Sequence, residues 1–294
     1  MPFNARSGYL ERADYSWSED SVRLINTSSL LSRKNFFYVQ EAGYFKTKAP
    51  YFTERANLES FLIFYTLSGF GILKYGGCDL RLKKDSTILI NCMEHHYYEC
   101  PKNGSWEFLW VHFNGPAALG YYNEYSRTGV APVELTAPHP IEEDMREIIE
   151  LTKQKNAHYE LLSSNRITNI LTELIIAGSR DPAGEESVPP YIEAVLKTIE
   201  NRFTEELSLE YLASEAGISM YHLSREFKRY VGVPYSEYIM LKRINRAKEL
   251  LRYTDASVED IAYQCGFHYT SHFTSMFKKY EGNTPLKFRH SWNL

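Results

Sequence analysis

The stretch from Ser208 to Phe288 contains one pattern written twice, and a duplicated pattern limits the fold more than any single residue does. Leu209, Leu212, Ala213 and Gly217 recur 49 positions later as Val258, Ile261, Ala262 and Gly266. One residue then enters, and Phe227, Lys228, Arg229, Tyr230 and Gly232 recur 50 positions later as Phe277, Lys278, Lys279, Tyr280 and Gly282. Each copy is therefore expected to be the same small supersecondary unit.

Local chemistry says which unit. Ser208 and Ser257 stand where a hydroxyl caps the unpaired N–H groups of a helix start, with Glu210, Glu259 and Asp260 in the first turn. Short helices are expected over Leu209 to Ala216 and Val258 to Cys265. Gly217 and Gly266 follow, where a left-handed residue ends a helix. Second helices start near Met220 and Tyr269. Helix, glycine turn, helix is the helix-turn-helix plan, whose second helix enters the major groove of DNA.

Leu212, Ile218, Leu223 and Phe227, with Ile261, Phe267, Phe273 and Phe277, supply the small cores. That leaves Tyr221, Ser224 and Arg225 outward on one second helix and Tyr269, Thr270, Ser271 and Ser275 on the other. Lys228, Arg229, Lys278 and Lys279 at the helix ends suit phosphates, although any single Lys pair is also what a solvated surface looks like. A helix from Pro234 to about Tyr253 links the copies, with Leu241, Ile244, Ala247, Leu250 and Leu251 on one stripe. Its roughly 20 residues give a rod of ~30 Å, close to the ~34 Å between successive major-groove segments on one face of B-DNA.

The net charge of −4 at first argues against a nucleic-acid partner. From Pro190 onward, however, 14 Lys and Arg stand against 13 Asp and Glu, so the excess acid lies upstream. Phosphates meet a local patch rather than a global sum. Four cysteines without C-x-x-C spacing read as reduced structural thiols of a cytoplasmic protein. No apolar run approaches ~20 residues, so no membrane span is expected, and the N-terminal segment does not read as a secretion signal.

Upstream, from about Asn35 to Phe113, aromatic and β-branched runs bounded by Gly, Asn, Asp and Pro read as short strands of a sandwich or small barrel. Gly76–Gly77 and Lys84–Asp85 are expected hairpin turns. Helical periodicity takes over at Pro140, with stripes of Ile141, Met145, Ile148, Ile149 and Thr152, then Leu161, Ile167, Ile170, Leu171, Leu174 and Ile175. These helices either pack on the barrel or form a subunit interface, or do both. The segment from Ser179 to Pro190, rich in Pro, Gly and acids, is an expected linker. The chain thus divides into 1–139, 140–178 (a helical hairpin), 179–190 and 191–294.

LASEAGIS-x-x-x-LSREFK, RAKELL and IAYQCGF-x-x-x-x-x-F-x-x-x-FKKYEG-x-TP-x-x-FR, with the one-residue offset between copies, resemble the AraC/XylS family of bacterial transcription regulators. The front segments SFLIFYTLSGFGIL, ILINCMEHHYY and WEFLWVHFNG are similar to that family's cupin-like effector domain. The resemblance implies an α+β chain: an N-terminal cupin-like β-barrel with packed helices, then an all-α domain with two helix-turn-helix motifs. It implies base contacts at Tyr221, Ser224, Arg225, Tyr269, Thr270, Ser271 and Ser275, and phosphate contacts at Lys228, Arg229, Lys278, Lys279 and His268. Ser275 departs from the family, which commonly has an arginine there.

The implied partners are a double-stranded DNA operator, a small-molecule effector (a sugar), RNA polymerase if the protein is an activator, and a second copy of the chain dimerised through the helical hairpin. In the last strand, alternation puts Trp106, Phe108, Trp110 and His112 on one face. Aromatic faces with a few polar groups suit a carbohydrate, and Tyr38, Tyr65, His95, Tyr97, Trp106, Trp110 and His112 are the candidate effector contacts. The same aromatics also suit a simple barrel core. His95, His96, Glu99 and His112 loosely suggest a metal-dependent cupin enzyme, but adjacent strand residues face opposite ways. No metal, cofactor or catalytic activity is expected. A DNA-repair methyl acceptor would need a cysteine cluster that the sequence lacks. A regulator controlled by a protein partner stays open.

Overall fold

The computed structural model describes residues 8–179 and 188–292, in two units divided between Gly184 and Glu185. Most of the linker expected at 179–190 lies outside the described residues.

The first unit is built on β1 (Leu10–Asp14), β2 (Val22–Ile25), β3 (Tyr38–Lys48), β4 (Phe52–Ala56), β5 (Phe61–Tyr75), β6 (Cys78–Lys83), β7 (Ser86–Asn91), β8 (His96–Glu99), β9 (Ser105–Asn114) and β10 (Val133–Glu134). Its helices are α1 (Leu30–Asn35), α2 (Ala118–Tyr125), α3 (Pro140–Gln154) and α4 (Tyr159–Ser179). The strands run in the order β1-β4-β8-β5-β9-β3-β2, with β6 and β7 both added to β5 and β10 to β7.

β5 explains the curl. Its first part, Phe61–Tyr65, pairs with β7, and its last part, Phe70–Tyr75, pairs with β6. Between them the register shifts at Thr66/Ser68 and Gly69 takes φ +68. A side chain at Gly69 would also strike the Ser105 carbonyl, so only glycine lets the strand bend there. One bent strand thus replaces the two short ones that the sequence suggests, and the sheet folds over itself into a half-barrel. Gly76 and Gly77 close a two-residue hairpin between Tyr75 and Cys78, both with positive φ. Lys84–Asp85 is a turn too, with Asp85 at φ 58, but not a hairpin: it carries the chain from one part of β5 to the other.

Period-2 alternation gives the sheet two apolar faces. Phe61, Ile63, Tyr65, Leu109, Val111 and Phe113 join Ile141, Met145 and Ile148 of α3 and Ile167, Ile170, Leu171 and Leu174 of α4 in one core. Leu62, Phe64, Leu73, Trp106, Phe108 and Trp110 fill the barrel interior. The hairpin α3–α4 therefore packs on the sheet. Leu161, read as part of its stripe, is instead 54% exposed. β1, β2, β4, α1 and α2 are short and lack a clear period, so they leave little mark in the amino-acid pattern.

The second unit contains α5 (Pro190–Arg202), α6 (Leu209–Glu215), α7 (Met220–Val231), α8 (Tyr235–Tyr253), α9 (Val258–Gln264), α10 (Thr270–Glu281) and α11 (Pro285–Trp292). Ser208 accepts from the Tyr211 N–H at 3.1 Å and Ser257 from the Asp260 N–H at 3.0 Å, starting α6 and α9. Both helices end alike. Gly217 (φ +66) and Gly266 (φ +82) are left-handed, and the next N–H reaches back to Ala213 or Ala262.

There are two cores, one around Leu212, Leu223 and Phe227, the other around Ile261, Phe267, Phe273 and Phe277. α8 belongs to both. Ile239 enters the first, while Ile244, Ala247, Leu250 and Leu251 enter the second. Ile239 rather than Leu241, which is half-buried, begins the stripe. At 19 residues the rod is ~28 Å long.

Candidate functional site

Inside the half-barrel, Tyr15, Arg23, Glu41, Phe45, Tyr51, Thr53, Arg55, Tyr98, Phe108, Trp110 and His112 surround a cavity. Four strands supply most of this lining by alternation. Thr53 and Arg55 come from β4, Tyr98 from β8, Phe108, Trp110 and His112 from β9, and Glu41 and Phe45 from β3. The free space among them is about 10 Å³, room for roughly one water.

The polar groups form a connected chain. Arg55 donates through Nε and Nη2 to Glu11 Oε1 at 3.1 and 2.8 Å, and its Nη1 lies 3.2 Å from His112 Nε2. His112 Nδ1 meets the Ser60 hydroxyl at 2.9 Å. Burial, with the Arg55 charge beside it, holds the His112 pKa well below the usual histidine range. The ring is therefore neutral at pH 7: Nε2 accepts from Arg55, and Nδ1–H donates to Ser60. Burial disfavours the Arg55 cation, but the Glu11 carboxylate, ion-paired and hydrogen-bonded to it, outweighs this and keeps the guanidinium charged, Tyr98 beside it being neutral at pH 7. For Glu11, burial raises the pKa and Arg55 lowers it, with the net below the usual carboxylate value.

Of the seven candidate effector contacts, the structure brings Trp110 and His112 to this cavity. Trp106 shares their face but is fully buried, stacked on Phe108 at 3.8 Å and donating to Thr66. Tyr65 points the other way, into the helix-backed core. Tyr38 lies under the Arg33 guanidinium, and His95 is exposed against Glu54 at 3.0 Å. Tyr97 stacks on Phe52 outside the barrel.

The inward residues of β8 are the neighbours His96 and Tyr98, both buried. A one-residue difference in strand parity thus exchanges the whole set. Arg55, with Tyr51 and Thr53, was also missed, although the i, i+2, i+4 spacing of Tyr51, Thr53 and Arg55 was available as a signal. His95 and His96 do face opposite ways. Among the described residues no group of three His, Cys, Asp or Glu side chains could hold a metal ion, and no helix is long and apolar enough to cross a membrane.

In the second unit, α7 presents Tyr221 (78% exposed), Ser224 and Arg225 outward, with Lys228 and Arg229 in its last turn. α10 presents Thr270, Ser271 and Ser275, with Lys278 and Lys279 in the matching turn. Tyr269 is the N-cap residue of α10 rather than part of the helix, and His268 precedes it, exposed. Arg229 lies over Tyr230 at 5.5 Å and Lys279 over Tyr280 at 5.6 Å, so the copies match even in side-chain stacking.

Two further features of this unit leave no local signal in the sequence. Glu226, buried on α7, meets Arg225 Nε at 3.2 Å and Arg229 Nη1 at 3.7 Å. In each module, an arginine of the helix after the outward-facing one also ties down the preceding loop. Arg243 of α8 donates to the Phe203 and Glu205 carbonyls at 2.7 and 2.8 Å, and Arg289 of α11 to those of Leu251 and Ala256 at 3.2 and 2.6 Å.

A curled sheet with a polar-lined interior, followed by a helical unit with two helix-turn-helix motifs, defines a DNA-binding protein with a ligand-binding domain. The family models agree. Residues 38–171 match the AraC-like ligand binding domain and residues 212–291 match a helix-turn-helix domain. The chain thus combines an AraC-like ligand-binding domain with an AraC-type helix-turn-helix domain and is homologous to AraC-family activators. It is similar to the HTH-type transcriptional activator RhaS of Enterobacter sp. (strain 638), with 25% identity over 231 residues, 75% of this chain and 82% of that protein. RhaS of Escherichia coli O139:H28 is 24% identical over 227 residues, 76% of this chain and 78% of that one. Among solved structures, the C-terminal domain of the response regulator yesN from Fusobacterium nucleatum is 35% identical, covering 33% of this chain and 95% of that one, with a TM-score of 0.32.

Proposed function

We propose that the protein is a cytoplasmic, homodimeric, sequence-specific activator of carbohydrate-utilisation genes, switched by a sugar-like effector in the barrel and without catalytic activity. The observation that carries this reading is the coexistence of two features in one chain. One is a barrel interior lined by Arg55, His112, Trp110 and tyrosine hydroxyls. The other is a pair of matched helix-turn-helix modules joined by one rod.

The aromatic rings suit the C–H faces of a sugar, and the charged and hydroxyl groups suit its oxygens. Tyr221, Ser224 and Arg225 are assigned to bases of one major-groove segment, and Tyr269, Thr270, Ser271 and Ser275 to the next. Lys228, Arg229, Lys278, Lys279 and His268 are assigned to phosphates. β9 carries cavity residues on one face and the α3–α4 contacts on the other. A ligand that moves β9 therefore acts directly on the helices that precede the linker, and α3–α4 is assigned as the dimer contact. The activator names of the relatives support contact with RNA polymerase.

The test is a DNase footprint on the gene's own upstream DNA across a panel of sugars and sugar derivatives. Protection of two adjacent major-groove segments, altered by one ligand of the panel, is expected. A footprint that no ligand changes, with unaltered thermal stability, refutes the effector role.

A further inference from the structure

Arg55 is the buried cation of the cavity, and what balances it is informative. Nε and Nη2 both donate to one oxygen of Glu11, while Nη1 meets the neutral His112. The carboxylate among the lining residues, Glu41, is already held by Arg23 at 3.0 and 2.9 Å. Glu11 is therefore the counter-charge of Arg55. It comes from β1, where it sits directly across the ladder from Arg55. β1 and β2 are the two end strands of the sheet order, and β1 pairs only with β4, whereas β3, β4, β8 and β9 are each bonded on both sides.

The cavity as it stands holds about one water, so a ligand of sugar size enters only by displacing an element that closes round it. Of the two end strands, β2 carries Arg23 into the lining, whereas β1 puts no side chain there and holds the counter-charge of Arg55, so its withdrawal bares the guanidinium without dismantling the wall. When Glu11 withdraws, a buried guanidinium is left without a counter-charge, an outcome far more costly than the loss of an exposed pair. The hydroxyls of a neutral sugar do not restore that charge. A carboxylate does, through the same two N–H groups.

We infer that the effector is an acidic sugar, whose carboxylate takes the place of Glu11 on Arg55 while its ring lies among Trp110, Phe45, Tyr51 and Tyr98. This rests on the reading of the barrel as the effector site. Glu11 then acts as a built-in competitor, setting the ligand concentration at which the cavity opens.

The test uses the full chain and thermal unfolding. In Glu11→Ala, sodium acetate raises Tm saturably by about 2–4 °C over equal sodium chloride, and wild type shows no such difference. Glucuronate, galacturonate and gluconate stabilise wild type where glucose and galactose do not, and they act at lower concentration in Glu11→Gln. If Glu11→Ala does not fold, Glu11→Gln and the wild-type panel carry the comparison. Acetate no better than chloride on the folded variant overturns the inference. So does a neutral sugar that stabilises wild type as well as its acid; in that case the barrel remains an effector site and only its charge preference falls. No shift from any sugar or acid, in wild type or variant, removes the effector reading as well.

Discussion

Gly217 and Gly266 occupy the same place in the two modules, yet their surroundings differ, and replacing each by alanine separates two physical effects. Both have positive φ, +66 and +82. An L-residue in that region costs about 1–2 kcal/mol. At Gly217 nothing lies within 4 Å of the added Cβ, so strain is the whole effect. At Gly266 the Cβ would run into the backbone carbonyl of Thr204, in the loop that Arg243 ties down through Phe203 and Glu205. A backbone carbonyl whose two neighbours are both bonded to one guanidinium cannot swing aside like a side chain. Overpacking of this kind costs a further ~1–3 kcal/mol. Gly266→Ala is thus expected to destabilise the second unit by about 2–5 kcal/mol, against about 1–2 for Gly217→Ala. Urea denaturation followed by circular dichroism at 222 nm measures both. Equal losses would refute the argument that the Phe203–Glu205 loop braces the second module's turn.

Arg225→Ala is expected to weaken operator binding by about 1–3 kcal/mol and to relax preference at one base pair; an equal loss on random DNA would make Arg225 a phosphate contact only. Glu226→Gln should lower the ratio of operator to random-DNA affinity while leaving the salt slope unchanged, because Glu226 orients Arg225 rather than touching DNA; a changed slope with an unchanged ratio contradicts this. Lys279→Ala should reduce the salt slope of binding by about 1 without altering sequence preference, as read by fluorescence anisotropy at several salt concentrations. Burial holds the folded His96 pKa down to about 4 and lowers that of His112 as well. The unfolded chain therefore takes up these protons first. Stability is full above about pH 6.5 and falls as pH drops from there toward about 4, by up to ~1.4 kcal/mol per pH unit for each histidine. Urea midpoints at pH 7 and pH 5.5 should show the decline and His96→Gln should roughly halve it, leaving the share of His112; a flat wild-type profile counts against burial of neutral rings.

The second unit was legible in the sequence to within a residue or two because its signals are local and stated twice. Caps, glycine turns and apolar spacing lie within a few positions of each other, and each copy checks its partner. The barrel was legible as strands but not as a site. Its cavity is assembled across β1, β3, β4, β8 and β9, which are brought together by ladder pairing between distant segments, and inward-facing identity turns on a parity that shifts with one residue. β9 is a long regular strand, so alternation alone puts Trp110 and His112 on one face. β8 has four residues after an irregular turn, so Tyr97 was singled out in place of Tyr98. Glu226 and Arg243 escaped for another reason. A charged residue beside apolar ones reads as surface until the structure shows what it holds.

The two proposed reading helices, α7 and α10, present different side chains, and a difference in what they read is expected to follow. α7 offers a guanidinium, 75% exposed, steadied by a carboxylate that is itself 8% exposed. A planar fork held in this way is prepared to meet two acceptors on one guanine at little cost in side-chain entropy. α10 has Met276 at the position of Glu226 and Ser275 at that of Arg225, so it offers hydroxyls, which donate or accept and discriminate weakly between bases. The cationic turns Lys228–Arg229 and Lys278–Lys279 are equal in both copies. Affinity should thus be shared between the modules while sequence preference concentrates in the first. Scrambling the half-site under α7 should abolish operator binding at moderate salt, whereas scrambling the half-site under α10 should cost only a few-fold. The opposite ranking would place the specificity in Tyr269 and the α10 hydroxyls instead.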